Sequence, residues 1–429
     1  MTSTRTRTNS LLDTIDGVDG VSFPLPGRDM RYPEFSRAEY ARRYARAVAL
    51  MDAQGIDALV LAQPATIRYF TGLQTWLWML PPVIPIVAVL PRDPAKATIV
   101  DTDLERGGVR QTTWIAEPTL YGHTDDPIDT VISALARRGL TSARLGFELG
   151  VGQRPHLSPS DLQRLLSSLP HAEVIDAAPL LGALRMLKSS EEIERIREAT
   201  RLSQIGYRAV FDALRPGVTE VELTRIAAHA MLDAGARPSA TPMTLIFLAG
   251  PERYRQIVQP AVDRPVRAGE QVWLDGGCAV DGYRADFIRS GVIGRLSDQA
   301  EHYYAIAVAA LEAALAAMGP GRPLGDAWVA AQNVFDHYAV GDATLIPHQI
   351  GHSIGLDHWE QPLVAQPGTE DGMVEARPGM VFCVEPTIVG PDGDDEWRSG
   401  LFVVEDQLII TNSGIEVLTV EIPRTLFHA

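Results

Sequence analysis

The chain has 429 residues, of which 46% are hydrophobic and 21% are charged. This length is too great for one ordinary hydrophobic core, so the composition predicts a globular protein of two or three domains. The net charge of −16 argues against nucleic acid as the main partner, because phosphate binding requires a basic surface.

The N-terminal residues and the cysteines indicate a compartment. Residues 1–30 include basic side chains but no apolar signal stretch, so we interpret them as a loose tail. The apolar run 76–91 is broken by prolines and too short to cross a bilayer, so we expect no membrane partner. The two cysteines, Cys278 and Cys383, exclude a disulfide framework and favour a reducing cytoplasm. We interpret both as small core residues.

Residues 31–183 are predicted to form an α/β domain, because helices alternate with short apolar strands. The first helix is predicted over 36–55, with Ser36 as its N-cap and Gly55 as its stop. The same pattern predicts the remaining elements, namely strands over 56–63, 83–91, 96–101, 143–149 and 172–177, and helices over 125–139 and 158–170.

Longer helical segments mark residues 184–429 as a second domain, of the α+β type. Ser189 and Glu192 form a capping box for a helix that runs to about Leu214, and another long helix is predicted around 298–318. Each long helix is followed by a Pro-Gly turn, a further helix and apolar strands. This order predicts an internal pseudo-two-fold repeat, with coincidence of common turn residues as the alternative.

Four carboxylates interrupt the strand-like segments of the second domain. A single buried acid is explained by an edge position or a salt bridge, but four of them need a common counter-charge. Two divalent cations balance four carboxylates and one neutral imidazole. Oxygen donors with one histidine suit a pair of Mn²⁺, Fe²⁺, Co²⁺ or Zn²⁺ ions. The residues concerned are Asp275, Asp286, Glu385, Glu405 and His352.

The segment HQIGHSIGLDHWEQP raises a second possible metal site, because His348 and His352 are four residues apart, as on a zinc-protease helix. That motif requires a glutamate after the first histidine, whereas Gln349 follows His348. Gly351 and Gly355 also disfavour a helix. The sequence therefore predicts an extended, closely packed segment in which His352 alone binds a metal.

With these residues assembled, the second domain resembles the pita-bread metallopeptidase family, M24, which includes methionine aminopeptidase, aminopeptidase P, prolidase and creatinase. Residues 31–183 resemble the creatinase-like N-terminal domain of the prolidase branch, and ATIRYFTGLQTWLW is similar to a segment of that branch. The ligand pattern of the family is matched in type, order and context by Asp275, Asp286 eleven residues later, His352 in GHSIG, Glu385 in VEP and Glu405 in VED.

The resemblance implies two divalent metal ions held by those five residues. It also implies that a bridging water is the nucleophile and that Glu385 takes its proton. His348 matches a histidine that lies behind the metal ligands in prolidase and aminopeptidase P. In this branch the N-terminal domain of one subunit closes the neighbour's active site, so a homodimer is implied. Trp76 and Trp78 are interpreted as core or interface residues, with either one a candidate to line the partner's pocket.

Departures from the family pattern leave the substrate open. Peptidases of this family carry a histidine seven residues after the metal-binding one, where this chain has Trp359, with His358 one residue earlier. Their histidine about seventeen residues before the first aspartate is replaced by Val258 or Gln259. Two functions therefore remain: a hydrolase acting on a dipeptide-like or amidic compound, and a lyase acting on a zwitterion such as dimethylsulfoniopropionate. We predict His358 as the substrate-side acid or base in both.

Three more residues are predicted to bind the substrate. Tyr283 lies close to a metal ligand along the chain, and Trp359 offers a ring face to a cationic substrate. Arg289 remains from a family segment in which Ile288 replaces a threonine, while Val403 replaces an arginine near the last glutamate.

Overall fold

The computed structural model describes residues 6–20, 22–80, 83–237, 241–250, 252–254, 258–340, 348–389 and 400–429. The chain divides into two compact units, Met1–Arg185 and Met186–Ala429, close to the boundary predicted at residue 183. Among the described helices, none has both the length and the apolar character needed to cross a bilayer.

The first unit is built from helices around one sheet. Its helices are α1 (Arg7–Asp16), α2 (Arg37–Gln54), α3 (Pro64–Thr71), α4 (Arg106–Thr112), α5 (Pro127–Arg137), α6 (Pro159–Ser167) and α7 (Ala178–Met186). Its strands are β1 (Ala58–Leu61), β2 (Val87–Pro91), β3 (Thr98–Thr102), β4 (Thr119–Tyr121), β5 (Arg144–Phe147) and β6 (Glu173–Asp176).

These strands form a mixed sheet in the order β4-β3-β2-β1-β5-β6. Strand β1 runs antiparallel to β2 and parallel to β5. Val60 and Val87 of the sheet pack in one apolar cluster with Val131 of α5 and Leu165 of α6. The α/β prediction for this unit is confirmed, although the sequence pattern missed α3, α4 and β4.

The predicted loose tail at residues 1–30 needs correction. Part of it forms α1, in which Leu12 and Ile15 are fully buried. Asp19, just beyond the helix, accepts a hydrogen bond from Arg46 of α2. The apolar residues of this short segment stand at helical spacing, and this spacing is the sequence signal for α1.

The second unit contains four long helices in its described part, α8 (Ser190–Ala213), α9 (Glu220–Asp233), α10 (Asp298–Ala317) and α11 (Leu324–His337). Its strands are β7 (Thr244–Ala249), β8 (Gln271–Gly277), β9 (Ala279–Val280), β10 (Tyr283–Arg284), β11 (Arg289–Val292), β12 (Gln349–Ser353), β13 (Glu360–Ala365), β14 (Val381–Val384), β15 (Thr387–Val389), β16 (Leu401–Val403), β17 (Asp406–Thr411), β18 (Gly414–Val417) and β19 (Phe427–His428).

The second unit repeats one arrangement, in which two helices precede a sheet. Helices α8 and α9 precede a sheet of order β19-β11-β8-β7, and α10 and α11 precede one of order β13-β12-β14-β17-β18. All pairings in the second of these sheets are antiparallel, and in the first only β19 adds a parallel edge. This order confirms the predicted α+β domain with its internal repeat.

Two predicted helix boundaries are confirmed by their capping contacts. The Ser36 side chain accepts from the backbone of α2, and Gly55 ends that helix with a φ of 68°. Ser189 and Glu192 form the predicted capping box of α8. Such caps depend on residues within one turn, which is why the sequence alone locates them.

Candidate metal centre

Five predicted metal ligands come together from both halves of the second unit. Asp275 lies in β8 and His352 in β12. Asp286 lies between β10 and β11, Glu385 between β14 and β15, and Glu405 between β16 and β17. Asp286, His352 and Glu405 are almost fully buried, whereas Asp275 and Glu385 are partly exposed. The helix–sheet repeat therefore supplies two acids from each half.

Three of the four acids lie at interruptions of strands, whereas the sequence predicted all four within strands. The backbone stays paired at two of these breaks, because Glu385 N–H donates to Ile350 O at 2.7 Å and Glu405 N–H donates to Ile288 O at 3.3 Å. Side chains of a regular strand alternate strictly between faces. Glu385 continues the pairing of β14 with β12 through its bond to Ile350 O, whereas Asp286 and Glu405 lie in breaks between strands.

Asp286 is the centre of the cluster. Its Oδ2 lies 3.5 Å from His352 Nε2 and 3.1 Å from His358 Nε2. Asp275 shares a hydrogen bond with Asp286, and Glu385 Oε1 lies 3.9 Å from His352 Nε2. These contacts join Asp275, Asp286, His352 and Glu385 in one cluster.

One residue of the cluster was missed by the sequence analysis. Among the described residues, one group has potential ligand atoms that all lie within 4.8 Å of one another, and it consists of Asp286, His352, Cys383 and Glu405. Cys383 pairs with His352 across β14 and β12. It also precedes Glu385 by two residues, so both face the same side of the strand. That spacing was the signal available in the sequence.

The cluster has the character of a cation site. Among the described residues, Asp286 Oδ1 and Glu405 Oε1 are buried without a hydrogen-bond partner, which is costly for a carboxylate. His352 Nδ1 lies 3.0 Å from the Ser353 carbonyl oxygen. A carbonyl only accepts, so Nδ1 carries a proton and Nε2 is the ring nitrogen that a metal ion would bind. Converging lone pairs of this kind fit a metal ion.

Most acids of the cluster have raised pKa values in the metal-free chain, so they take up protons more readily than ordinary carboxyl groups. Burial raises the pKa of Asp275 and Glu405 well above the usual carboxyl value, and the neighbouring acids raise it further. Burial raises the pKa of Glu385 to about 7, against the opposing effect of His352. Burial and the acids likewise raise the pKa of the Cys383 thiol. A cation that enters the cluster therefore has to displace protons.

Asp286 is the acid that stays ionised. Burial acts to raise its pKa, but the two adjacent histidines outweigh burial and hold that pKa below its usual value. Burial lowers the pKa of His358, so that ring is neutral near neutral pH. For His352, burial is outweighed by Asp286 and Glu385, and its pKa is raised. Contact between Asp286 and His352 thus favours the ionised acid and the protonated imidazole in the metal-free chain.

Comparison with known proteins agrees with this geometry. Residues 194–412 match the model of metallopeptidase family M24, and residues 43–187 match the creatinase/prolidase N-terminal domain. The chain belongs to metallopeptidase family M24. The predicted creatinase-like and pita-bread domains are thereby confirmed, as is a hydrolase that cleaves C–N bonds.

Several relatives of the M24 chain cover nearly its whole length. An Xaa-Pro dipeptidase structure from Bacillus anthracis is 24% identical, with a TM-score of 0.75, and the match covers 91% of this chain and 100% of that one. Dipeptidase PepE from Mycobacterium ulcerans is 25% identical, with a TM-score of 0.77 and coverages of 92% and 99%. The hydrolase/peptidase y4tL of Sinorhizobium fredii is 27% identical over 403 residues, with coverages of 91% and 97%. These relatives give the lyase alternative no support.

In this M24 chain, the turn between β12 and β13 brings His358 to the cluster. The family pattern has its histidine one residue later, at the position of Trp359. His358 Nε2 reaches Asp286, while its Nδ1 is buried without a partner. Trp359 is 61% exposed, and its ring centroid lies 5.7 Å from that of His352. The imidazole at the site is thus supplied one residue earlier than in the family pattern, and an indole stands at the rim.

A buried ion pair holds this turn at both ends. Lys188 Nζ donates to Ser353 Oγ at 3.1 Å and to Glu360 Oε2 at 3.0 Å. The other oxygen of Glu360 accepts the backbone N–H of Asp357 at 3.2 Å. Lys188 and Glu360 side chains are 1% and 6% exposed. The position of His358 therefore depends on contacts made by its neighbours in the turn.

The prediction that Arg289 binds the substrate is wrong. Its guanidinium is buried, and all five of its N–H groups donate within the protein. The acceptors are the Asp406 carboxylate and the backbone carbonyls of Ile288, Glu405, Thr419 and Ile422. Arg289 instead holds the backbone at Glu405 through its hydrogen bond to the carbonyl oxygen of that residue. The closeness of Arg289 to Asp286 along the chain gave no indication of this structural role.

Two other predicted site residues also lie elsewhere. The Tyr283 side chain is buried and its hydroxyl donates to Glu192 Oε1 at 2.7 Å, so it joins β10 to α8 and does not face a substrate. The His348 side chain is exposed before the start of β12. No hydrogen bond or ion pair between described residues joins it to the metal centre. Val258 and Gln259 are exposed in a loop.

Proposed function

We propose that this M24 chain is a dinuclear metal-dependent hydrolase of the Xaa-Pro dipeptidase type, which cleaves the C–N bond of a small dipeptide-like or amidic substrate. The observation that carries this proposal is the buried cluster of four acids and one histidine, with two carboxylate oxygens left without partners. Two divalent cations, chosen among manganese, zinc, iron and cobalt, would balance its four carboxylates.

The cations would be held by Asp275, Asp286, His352, Glu385 and Glu405. Such ions, when bound, polarise the scissile carbonyl and lower the pKa of a water to near neutrality. Glu385 is suited to take the proton of the attacking water, because a general base works best when its pKa lies near the working pH. Its partial exposure gives water a path to the carboxylate.

His358 is proposed as the group that holds a proton at the leaving amine. Its side chain is 30% exposed and its Nε2 lies 3.1 Å from Asp286, so the ring borders both the metal centre and the solvent side. Trp359, exposed next to it, is proposed as the wall against which the substrate packs. The roles predicted for Arg289 and Tyr283 are withdrawn, and His348 is left without one.

We also propose a homodimer in the cytoplasm, with neither nucleic acid nor membrane as a partner. An apolar surface segment in the first unit supports the dimer, since Trp76, Met79 and Leu80 are each about half exposed. Trp78 is partly buried in the same segment. The free thiols of Cys278 and Cys383 support a reducing compartment.

The proposed activity is tested with metal-loaded protein and a substrate panel. After chelation, the protein is loaded with Mn²⁺, Co²⁺ or Zn²⁺ and incubated with Xaa-Pro dipeptides, matched dipeptides without proline, creatine and dimethylsulfoniopropionate. We expect release of free amino acids that requires metal. Asp286→Asn should lower the rate by more than about 100-fold, because changes to residues merely supporting a ligand already cost 10- to 100-fold.

A matched control is Asp101→Asn, which makes the same substitution at another fully buried aspartate, in the first unit, and should leave the rate unchanged. Release of dimethyl sulfide from dimethylsulfoniopropionate, lost in Asp286→Asn, would instead favour the lyase. If no metal-loaded form cleaves any dipeptide or amide, the proposal fails.

A further inference from the structure

We propose that Cys383 Sγ is a metal donor in this chain, additional to the five ligands of the family pattern. This inference rests on the proposed function in one respect, namely that a divalent cation enters the cluster. It concerns the chemistry of the donors, and therefore which cation the site prefers.

The position of the sulfur supports this role. Sγ lies within 4.8 Å of ligand atoms of Asp286, His352 and Glu405, which likewise lie within 4.8 Å of one another. A tetrahedral ion with oxygen or nitrogen at about 2.0 Å and sulfur at about 2.3 Å separates its donors by roughly 3.3–3.8 Å. The four atoms therefore need an inward movement of about 1 Å at most to surround one ion.

The sheet fixes Cys383 in this position. Cys383 lies opposite His352 in the pairing of β14 with β12, and its side chain shares a face with Glu385. Gly351 allows the two strands to approach closely, because a Cβ there would lie 2.2 Å from Cys383 O. The thiol makes a long hydrogen bond of 3.5 Å to Asp286 O. A thiol is a weak donor, so this bond competes poorly with a metal ion.

The other cysteine shows that this placement is specific. Cys278 is equally buried, but its Sγ contacts Ala199 O at 3.5 Å and Ser203 Oγ at 3.6 Å, both on α8. It does not belong to the four-atom group of the described residues. Cys278 is therefore a matched control for the effects of replacing Cys383.

A sulfur donor changes the expected metal preference. Sulfur ligates as thiolate, so the thiol proton passes to solvent when the ion takes its place. Thiolate favours Zn²⁺, Co²⁺ and Fe²⁺ over Mn²⁺, which prefers oxygen. We expect Cys383→Ser to lower Zn²⁺ affinity by about 10- to 100-fold and to change Mn²⁺ affinity by no more than a few-fold.

The test is the absorption spectrum of the Co²⁺-loaded full-length protein. A cobalt–thiolate bond gives a charge-transfer band in the near ultraviolet, and cobalt bound by oxygen and nitrogen alone does not. We expect the band in the wild-type protein and in Cys278→Ser, and its loss in Cys383→Ser at equal cobalt content.

A second test, which needs no variant, is X-ray absorption spectroscopy of the zinc-loaded wild-type protein. We expect one sulfur atom at about 2.3 Å from the zinc ion. A wild-type protein that binds metal with only oxygen and nitrogen neighbours, or a band that persists in Cys383→Ser, overturns the inference and leaves the proposed hydrolase intact. Failure to bind any divalent ion would overturn both.

Discussion

Asp286 and Arg289 lie three residues apart in the chain and show how differently two buried charges are used. Asp286 contacts His352 and His358 and retains one carboxylate oxygen without a partner. Arg289 has every N–H group occupied, including an ion pair of 2.7 Å with Asp406. A buried charged group that still has a polar atom without a hydrogen-bond partner is suited to bind a ligand. A buried charged group whose polar atoms all have partners within the protein stabilises the fold.

Asp101 permits a prediction about pH and stability. It is fully buried, its Oδ2 has no partner, and burial raises its pKa to about 8. Because the folded pKa exceeds the unfolded value of 3.8, the stability linked to its proton is complete below about pH 4 and is lost as pH rises to 8. The wild-type urea midpoint should therefore fall between pH 5 and 8.

Asp101→Asn should flatten that dependence and stabilise the protein at pH 8 by about 2 kcal/mol or more, since the buried charge is removed. Urea unfolding at pH 5, 6.5 and 8 measures the effect. Glu117→Gln, which changes an exposed acid of the same unit, should retain the wild-type slope. Parallel slopes for the wild type and Asp101→Asn would contradict the prediction.

Residue identities within the metal centre were predictable only in part. The five predicted ligands, which the structure brings into one cluster, followed from residue type, an eleven-residue spacing and the chemistry of paired acids with one imidazole. Tyr283 and Arg289 were misassigned because closeness along the chain does not give side-chain direction. Cys383 was overlooked because a buried cysteine is usually a small apolar residue, and only the strand pairing with His352 reveals its position.

At the scale of elements, the turn between β12 and β13 depends on one lysine. Lys188→Met removes the cation that pairs with the buried Glu360 carboxylate, and we expect a loss of roughly 3 kcal/mol of stability. Because the turn carries His358, kcat should fall about 10-fold or more, with metal content and KM little changed. Denaturant unfolding, metal analysis and steady-state kinetics measure these three quantities.

The second lysine of the chain provides the control, since Lys96 is exposed and Lys96→Met should behave as wild type. In the double variant Lys188→Met, Glu360→Gln the carboxylate charge is removed together with its lysine, so stability should recover in part. Recovery of stability without recovery of kcat supports a positioning role for the ion pair. An unchanged kcat in Lys188→Met would rule that role out.

Element boundaries divide into those set locally and those set by tertiary contacts. Ser36 and Gly55 limit α2, and Ser189 begins α8, as the sequence predicted. The interruptions at Asp286 and Glu385 were not predicted, because apolar periodicity continues through them. Their cause is a charge cluster assembled from distant segments, which is absent from any single window of sequence.

At the scale of the whole molecule, the prediction concerns assembly. The wild-type protein should have about twice the chain mass of 46.7 kDa by light scattering. Trp76→Ser combined with Leu80→Ser should shift it towards the monomer, because these changes remove apolar surface from the proposed contact. Val420→Ser, at a 72% exposed position in the other unit, should leave the mass unchanged. A monomeric wild-type protein would refute the homodimer.

The overall architecture was the most predictable level. Alternating helices and apolar strands predicted the α/β unit, and the repeated order of helices and strands predicted the α+β unit. The error at this scale was residues 1–30, where α1 is too short to stand out from its surroundings. Hydrophobic periodicity extends over many residues, so it predicts the order of long helices and strands well. A short element such as α1 contains too few residues for the period to be recognised with the same ease.

The turn at 354–359 also bears on how the substrate specificity of such a protein evolves. Lys188 fixes its two flanks, and the metal donors lie outside it. Under the proposed function, substitutions at its interior positions, which include His358 and Trp359, would alter which side chain meets the substrate and would leave the predicted metal ligands unchanged. Natural evolution, or a mutant library confined to these positions, is therefore able to change the substrate specificity without replacing the predicted metal ligands.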